Sequence, residues 1–178
     1  VPAGTLLRRH VIDLQIYPNR LHVADLTGTE LRLWLERAAS VFATVPEGAV
    51  AAPLLDSACA GYAFDAISGV TCRIDVSVPP LAEAWSGTGS GTASRTGGRT
   101  GRGHAGRIRD LRCQGRPVLP TDRYRIAANG YRLGSHPVYA ALRARARPVG
   151  GHSVREALES WVRGGGAERA MSPPTWAL

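Results

Sequence analysis

Hydrophobic and polar positions along the chain predict strands bounded by helices near either end. The first helix is predicted from Thr5 to Leu14, because four apolar residues recur there at helical intervals and Pro18 follows. A second helix is predicted behind Thr27, since Thr27 and Glu30 have the spacing of a capping box. One face of that helix carries Leu31, Trp34, Leu35, Ala38 and Phe42.

The third predicted helix lies near the other end of the chain. Ser153 and Glu156 repeat the capping-box spacing, and the run Gly164 to Gly166 is expected to end the helix behind them. Its apolar side is expected to carry Val154, Ala157, Leu158 and Trp161.

Four segments are predicted as strands: residues 20–26, 69–76, 107–113 and 124–128. Gln114-Gly115 is a plausible tight turn at the end of the third. A run of strands with helices at either end favours an α+β fold with a mixed or antiparallel sheet, rather than a doubly wound one.

The segment 85–106 is rich in Gly, Ser and Arg and contains too little apolar surface to be buried. It lies between two predicted strands. We therefore expect a flexible loop inserted within one domain spanning residues 1–178, and the flanking strands should pair antiparallel. The G-x-G-x-x-G match at 101–106 has no strand before it and no helix after it, so it is discounted as a dinucleotide fingerprint.

Composition narrows the function classes. The 178 residues are 44% hydrophobic, enough for a core. The net charge of +8 comes entirely from arginine, which GC-rich coding bias explains better than a nucleic-acid partner. No apolar run approaches the ~20 residues that cross a bilayer, and the chain opens without a signal peptide.

Few residues suggest a catalytic or metal-binding site. The five histidines are scattered and the three cysteines lack CxxC spacing, so no catalytic residue, metal site or cofactor is expected in this chain. Tyr62 and Tyr131 are more informative, because each stands beside glycine where a loop is expected. Each could be an ordinary half-buried tyrosine, or the two could stack against a nucleobase.

Several segments, in order, resemble a known family. They are 16–23 (IYPNRLHV), 26–36 (LTGTELRLWLE), 62–70 (YAFDAISGV), 74–77 (IDVS), 107–108 (RI) and 127–132 (AANGYR). This order is similar to that of the 5'-nucleotidase C-terminal domain. The sequence around Tyr62 and Tyr131 most resembles that of the 2',3'-cyclic-nucleotide 2'-phosphodiesterase/3'-nucleotidase branch.

The resemblance implies a nucleotide-binding domain of a two-domain hydrolase. Tyr62 and Tyr131 fall where the family has its base-stacking rings, Phe64 is the alternative for the first ring, and Asn129 would help to shape the pocket. Two divalent metal ions are expected in an N-terminal metallophosphatase domain, on the same or a separate chain. A periplasmic or secreted setting is implied. A stand-alone, non-catalytic module that binds nucleosides or nucleic acid is the alternative.

A disulfide between Cys72 and Cys113 is a further expectation. The two strands that carry them should form one hairpin, and the resembling branch usually has aromatic residues at both positions. Two small buried thiols are the alternative.

Overall fold

The computed structural model describes residues 4–81, 106–166 and 176–177, and its contacts divide the chain into two compact units. Unit 1 comprises Val1–Leu26 and Tyr124–Pro173, and unit 2 comprises Thr27–Arg123 and Pro174–Leu178. Both helices and strands contribute to the fold, which confirms the predicted α+β class.

The helices and strands in chain order are α1 Arg8–Leu14, β1 Arg20–Thr27, α2 Gly28–Ala39, β2 Val70–Ile74, β3 Ile108–Cys113, β4 Arg116–Pro117, β5 Arg123–Asn129, α3 Gly130–Gly134, α4 Ala140–Arg145, β6 Arg147–Ser153, α5 Val154–Arg163 and β7 Trp176–Ala177. Short 3₁₀ turns lie at Gly61–Ala63 and Pro137–Tyr139. The predicted loop 85–106 lies outside the described residues, apart from Gly106. No helix within the described ranges is long and apolar enough to cross a membrane.

Unit 1 is built around the sheet β5-β1-β6. Strands β1 and β6 are antiparallel, with Val23 opposite Arg147 and Arg20 opposite Ser153. The register shifts between these pairs, where Gly150 and Gly151 have φ angles of +58° and +71°. Other residues rarely adopt such angles, so these two glycines allow β6 to bulge.

The helix α5 departs from its predicted pattern. Its capping box forms as predicted, with the Ser153 hydroxyl accepting the Glu156 N–H. Trp161, predicted on the apolar side, is 46% exposed, whereas Glu159 is buried. Glu159 is held there by Arg8 and Arg163, at 3.1 and 3.5 Å. Val154, Ala157 and Leu158 of the predicted apolar side are half-buried, so Trp161 is the member of that side that departs from the prediction.

Unit 2 has its core under α2. Thr27 and Glu30 form the predicted capping box, and all five residues of the predicted apolar face are buried. The sheet order is β4-β3-β2-β7, in which β7 runs parallel to β2. Gln114 and Gly115 have φ angles of +48° and +78°, as a tight primed turn between β3 and β4 requires.

Strands β2 and β3 pair antiparallel as predicted, but the predicted disulfide does not form. Cys113 lies opposite Val70, which leaves Cys72 as a diagonal neighbour, and all three cysteines are free thiols. Diagonal Cα atoms are about 7–8 Å apart, beyond the reach of an unstrained disulfide. The register also shifts between Thr71 and Arg73, near Asp110 with its φ of +49°. The expectation of facing cysteines is therefore wrong.

A buried charged cluster joins α2 to the start of β3. The Glu36 carboxylate accepts the backbone N–H groups of Arg107 and Ile108 at 2.8 and 2.9 Å. The Arg107 guanidinium donates to the carbonyls of Val78, Ala39 and Phe42 and to the Thr44 hydroxyl. Burial lowers the pKa of Arg107, and the nearby Glu36 opposes that shift. Arg107 is thus a structural residue, not a surface contact for nucleic acid.

Candidate functional site

Tyr131 lies in unit 1 at the start of α3 and is 56% exposed. The helix begins there because the Asn129 side chain accepts the Arg132 N–H at 2.7 Å, which caps the first turn. Leu133 is buried and fixes the opposite side of the same short helix. Asn129 therefore acts in the structure as the N-cap of the helix that carries Tyr131.

Gly130 allows the helix that carries Tyr131 to lie close to β1. A Cβ atom at this position would stand 2.9 Å from Cε1 of His22, closer than real Cβ contacts. The His22 ring is itself held by Nδ1, 3.2 Å from the Arg20 carbonyl. A larger residue than glycine would require the His22 ring or the helix to move, so Gly130 allows α3 and β1 to lie this close.

An open cleft of about 530 Å³ adjoins this helix in unit 1. Its volume falls within the range of small-molecule sites, roughly 300–1,000 Å³. Both apolar and polar residues line it: Leu133, Gly134, Ser135, His136, Pro137, Ala140, Arg143 and Ala144. Most of these residues form the segment 133–137, which begins just after the second predicted ring.

His136 organises the turn on one side of the cleft. Its Nδ1 accepts the Val138 N–H at 3.2 Å, so in the neutral ring the proton resides on Nε2. Its ring packs edge-on against the buried Tyr139, with centroids 6.2 Å apart. These contacts lead the chain from the turn into α4, where Arg143 lines the same cleft.

Tyr62 lies in unit 2, in the 3₁₀ turn Gly61–Ala63, and is 73% exposed. The residues behind it are anchored. Phe64 packs edge-to-face on Phe42 with centroids 5.5 Å apart, and Asp65 accepts a hydrogen bond from the Trp34 indole at 2.9 Å. These anchors leave Tyr62 at the surface, so its ring face is better placed than that of the half-buried Phe64 to receive a base.

The thiols of Cys72 and Cys59 are poor candidates for nucleophiles. Burial raises the pKa of Cys72, and the neighbouring Glu36 raises it further. Burial likewise raises the pKa of Cys59, whose sulfur lies 3.7 Å from the Ser40 carbonyl. Reactive cysteines need a lowered pKa. In the part of the chain that the structure describes, no three His, Cys, Asp or Glu side chains are grouped to hold a metal ion.

Comparison with known protein families identifies the family to which the chain belongs. The family model described as "5'-nucleotidase, C-terminal domain" matches residues 1–144. The chain belongs to this family. The order of segments from Ile16 to Arg132 had indicated the same assignment, and the match confirms it.

Curated relatives of this 5'-nucleotidase C-terminal domain come from several bacteria. It is 31% identical over 133 residues to the trifunctional nucleotide phosphoesterase protein YfkN of Bacillus subtilis, covering 74% of the chain and 8% of that protein. It is 32% identical over 134 residues to a 2',3'-cyclic-nucleotide 2'-phosphodiesterase/3'-nucleotidase of Haemophilus influenzae, covering 74% of the chain and 19% of that protein. The chain thus spans no more than about a fifth of these relatives.

Solved structures share the fold. A 5'-nucleotidase from Staphylococcus aureus, in complex with alpha-ketoglutarate, superposes with a TM-score of 0.63 at 20% identity, over 95% of this domain and 29% of that chain. A 5'-nucleotidase precursor from Thermus thermophilus gives a TM-score of 0.59 at 17% identity, over 92% of this domain and 26% of that chain. At these identities the comparison establishes the fold alone.

Proposed function

We propose that this domain binds the nucleobase of a nucleotide for a hydrolase that cleaves phosphoesters. The observation that best supports this proposal is the exposed ring of Tyr131. It lies on a capped helix beside an open cleft of about 530 Å³. The printed names of the curated relatives, which are nucleotidases and nucleotide phosphodiesterases, support the same substrate class.

Tyr131 and Tyr62 are the two proposed stacking residues. Stacking on an aromatic face contributes about 1–3 kcal/mol per base without needing base-specific hydrogen bonds. Each ring lies on a short turn whose neighbouring residues are fixed by a cap or by core packing. A rigid ring loses little conformational freedom when a base stacks on it, and this favours binding.

The proposed division of labour leaves the bond-breaking step to another domain. Two divalent metal ions, held by an N-terminal metallophosphatase domain on the same or another chain, would supply hydroxide for attack on phosphorus. The residues of the present domain would bind and orient the base. We extend the proposal to a periplasmic or secreted enzyme of nucleotide breakdown, as the family resemblance implies.

The test is an adenosine titration of the 178-residue chain, followed by tyrosine fluorescence or calorimetry. Tyr131→Ala and Tyr62→Ala should each weaken binding by about 1–3 kcal/mol. Tyr→Phe at either position should cost much less, because the ring face rather than the hydroxyl makes the contact. Asn129→Ala should also weaken binding, whereas Asn129→Asp, which preserves the cap, should weaken it less.

Tyr17 supplies the matched control. It lies in unit 1 and is 70% exposed, but it lies outside both the cleft and the stacking turns. Tyr17→Ala should leave adenosine binding unchanged. Equal losses from the Phe and Ala variants at both rings, or a loss from Tyr17→Ala as large as theirs, would refute stacking. Phosphoester hydrolysis by this chain alone with added Mn²⁺ would refute the division of labour.

A further inference from the structure

The cleft of unit 1 holds an arginine that the fold does not use. Arg143 lines the cleft and its side chain is exposed. Among the described residues, its guanidinium has no hydrogen bond or ion pair. Two other guanidinium groups of unit 1 are occupied: Arg125 pairs with Asp25 at 2.8 Å, and Arg145 donates to the Asp25 carbonyl at 2.8 Å.

The guanidinium of Arg143 lies next to Gly134. Nη1 of Arg143 lies 3.8 Å from where a Cβ of Gly134 would stand, so the charged group rests over the end of α3. Gly134 follows Tyr131 by three residues on the same helix. Residues at this spacing share a face, with Cβ atoms about 5–6 Å apart. An aromatic ring and an unpaired positive charge therefore border neighbouring parts of one surface.

The surrounding charge also favours an anion. Unit 1 has more arginines than carboxylates in its described ranges. The arginines are Arg8, Arg9, Arg20, Arg125, Arg132, Arg143, Arg145, Arg147, Arg155 and Arg163, and the carboxylates are Asp13, Asp25, Glu156 and Glu159. Glu159 is engaged by two of these arginines, Asp25 by a third and Glu156 by its helix cap. No carboxylate from the described residues lines the cleft.

We propose that the 133–144 cleft is an anion subsite, in which Arg143 binds a phosphate group of the nucleotide whose base stacks on Tyr131. This rests on the proposed function and deepens it, because it makes the preferred ligand a nucleotide rather than a nucleoside. Guanidinium groups suit this task, since their planar array of N–H donors matches phosphate oxygens. Arg143 is here a binding residue, with no part in bond cleavage.

The experiment compares adenosine, 3'-AMP and 5'-AMP on the full chain, with inorganic phosphate as a competitor. At least one AMP isomer should bind about five- to tenfold more tightly than adenosine, the size of one partly exposed charge-assisted contact. Arg143→Gln should abolish this preference, so that the AMP isomers bind no more tightly than adenosine to the same variant, and Arg143→Lys should retain part of it. Raising the salt concentration should shrink the preference, because the site is open to solvent.

Arg9 provides a matched control, being exposed and in unit 1 but outside the cleft. Arg9→Gln should leave the preference intact. If adenosine and both AMP isomers bind equally, the anion subsite is refuted while base stacking stands. If inorganic phosphate binds at Arg143 but AMP is no tighter than adenosine, the site takes free phosphate and the nucleotide assignment is wrong. If adenosine does not bind at all, the proposed function and this inference both fail.

Discussion

Replacing Glu36 by alanine should be among the most destabilising single substitutions in unit 2. The side chain is 1% exposed and its two carboxylate oxygens accept the N–H groups of Arg107 and Ile108 at 2.8 and 2.9 Å. Alanine would leave both backbone donors buried without their acceptor. It would also remove the anion that opposes the desolvation of the buried Arg107 guanidinium.

The expected loss follows from these contacts. A hydrogen bond to a charged acceptor contributes about 1.5–3 kcal/mol, so losing two costs about 3–6 kcal/mol. Because a whole domain is stable by only about 5–15 kcal/mol, Glu36→Ala should leave unit 2 close to unfolded.

Glu36→Gln is the graded variant. The side-chain oxygen of glutamine can still accept one backbone N–H. Its amide nitrogen is itself a donor, so the other backbone N–H would lose its acceptor. We expect roughly half the loss of the alanine variant, about 2–3 kcal/mol. Glu47, which is exposed in a loop, supplies the control, and Glu47→Ala should change stability by less than about 0.5 kcal/mol.

Urea denaturation gives the free energies of unfolding, and hydrogen exchange of the Arg107 and Ile108 amides locates the effect. These amides should exchange much faster in both Glu36 variants, and at an unchanged rate in Glu47→Ala. A Glu36→Ala protein within about 1 kcal/mol of the parent, or with normal protection at these two amides, would show that the cluster does not stabilise the unit as argued.

Three other predictions concern the backbone, pH and the thiols. Gly106→Ala should lower the melting temperature more than Gly115→Ala; both have positive φ, but only a Cβ at Gly106 would collide with the Glu36 carboxylate, so equal losses would contradict the contact. Hydrogen bonds from the capping residue Ser153 lower the pKa of Glu156. The stabilisation of α5 by the Glu156 carboxylate should therefore be present above the ordinary glutamate pKa of about 4.3, and it should be lost as the pH falls through the lowered pKa. Urea titrations between about pH 3 and 7 should show that component, and Glu156→Gln should remove it. Mass spectrometry should find all three thiols alkylatable without reductant, the buried Cys72 slowest, and an oxidised pair would contradict the register.

Local signals in the sequence located the two helices that begin with a capping box. The Thr27–Glu30 and Ser153–Glu156 pairs satisfy their own backbone groups within four residues, so spacing alone is enough to predict them. Strand β6 could not be found this way. It contains Pro148, Gly150 and Gly151, residues that disfavour strands, and it is extended because β1 pairs with it.

The same distinction applies to the candidate site. Tyr131 was singled out because it stands beside a glycine, although the structure has the short helix α3 where a loop was expected, and Asn129 was singled out by the family resemblance. Arg143 could not be singled out, since it looks like one more dispersed arginine until the 3₁₀ turn at Pro137–Tyr139 returns the chain and brings it beside Gly134. The cysteine pairing failed because the strand register, which places Cys113 opposite Val70, is set by the pairing of the two whole strands and not by the residue types of the two cysteines.

The cluster at the start of β3 also bears on how this gene can change and be engineered. Strands β2 and β3 are secured where they meet, by Glu36 on the Arg107 and Ile108 amides and by Arg109 on Asp75 at 3.2 Å. Because these contacts hold the paired ends of the two strands, we expect a change in the length of the polypeptide between β2 and β3 to leave their pairing in place. An epitope or a fluorescent label spliced there should leave the β2–β3 ladder intact.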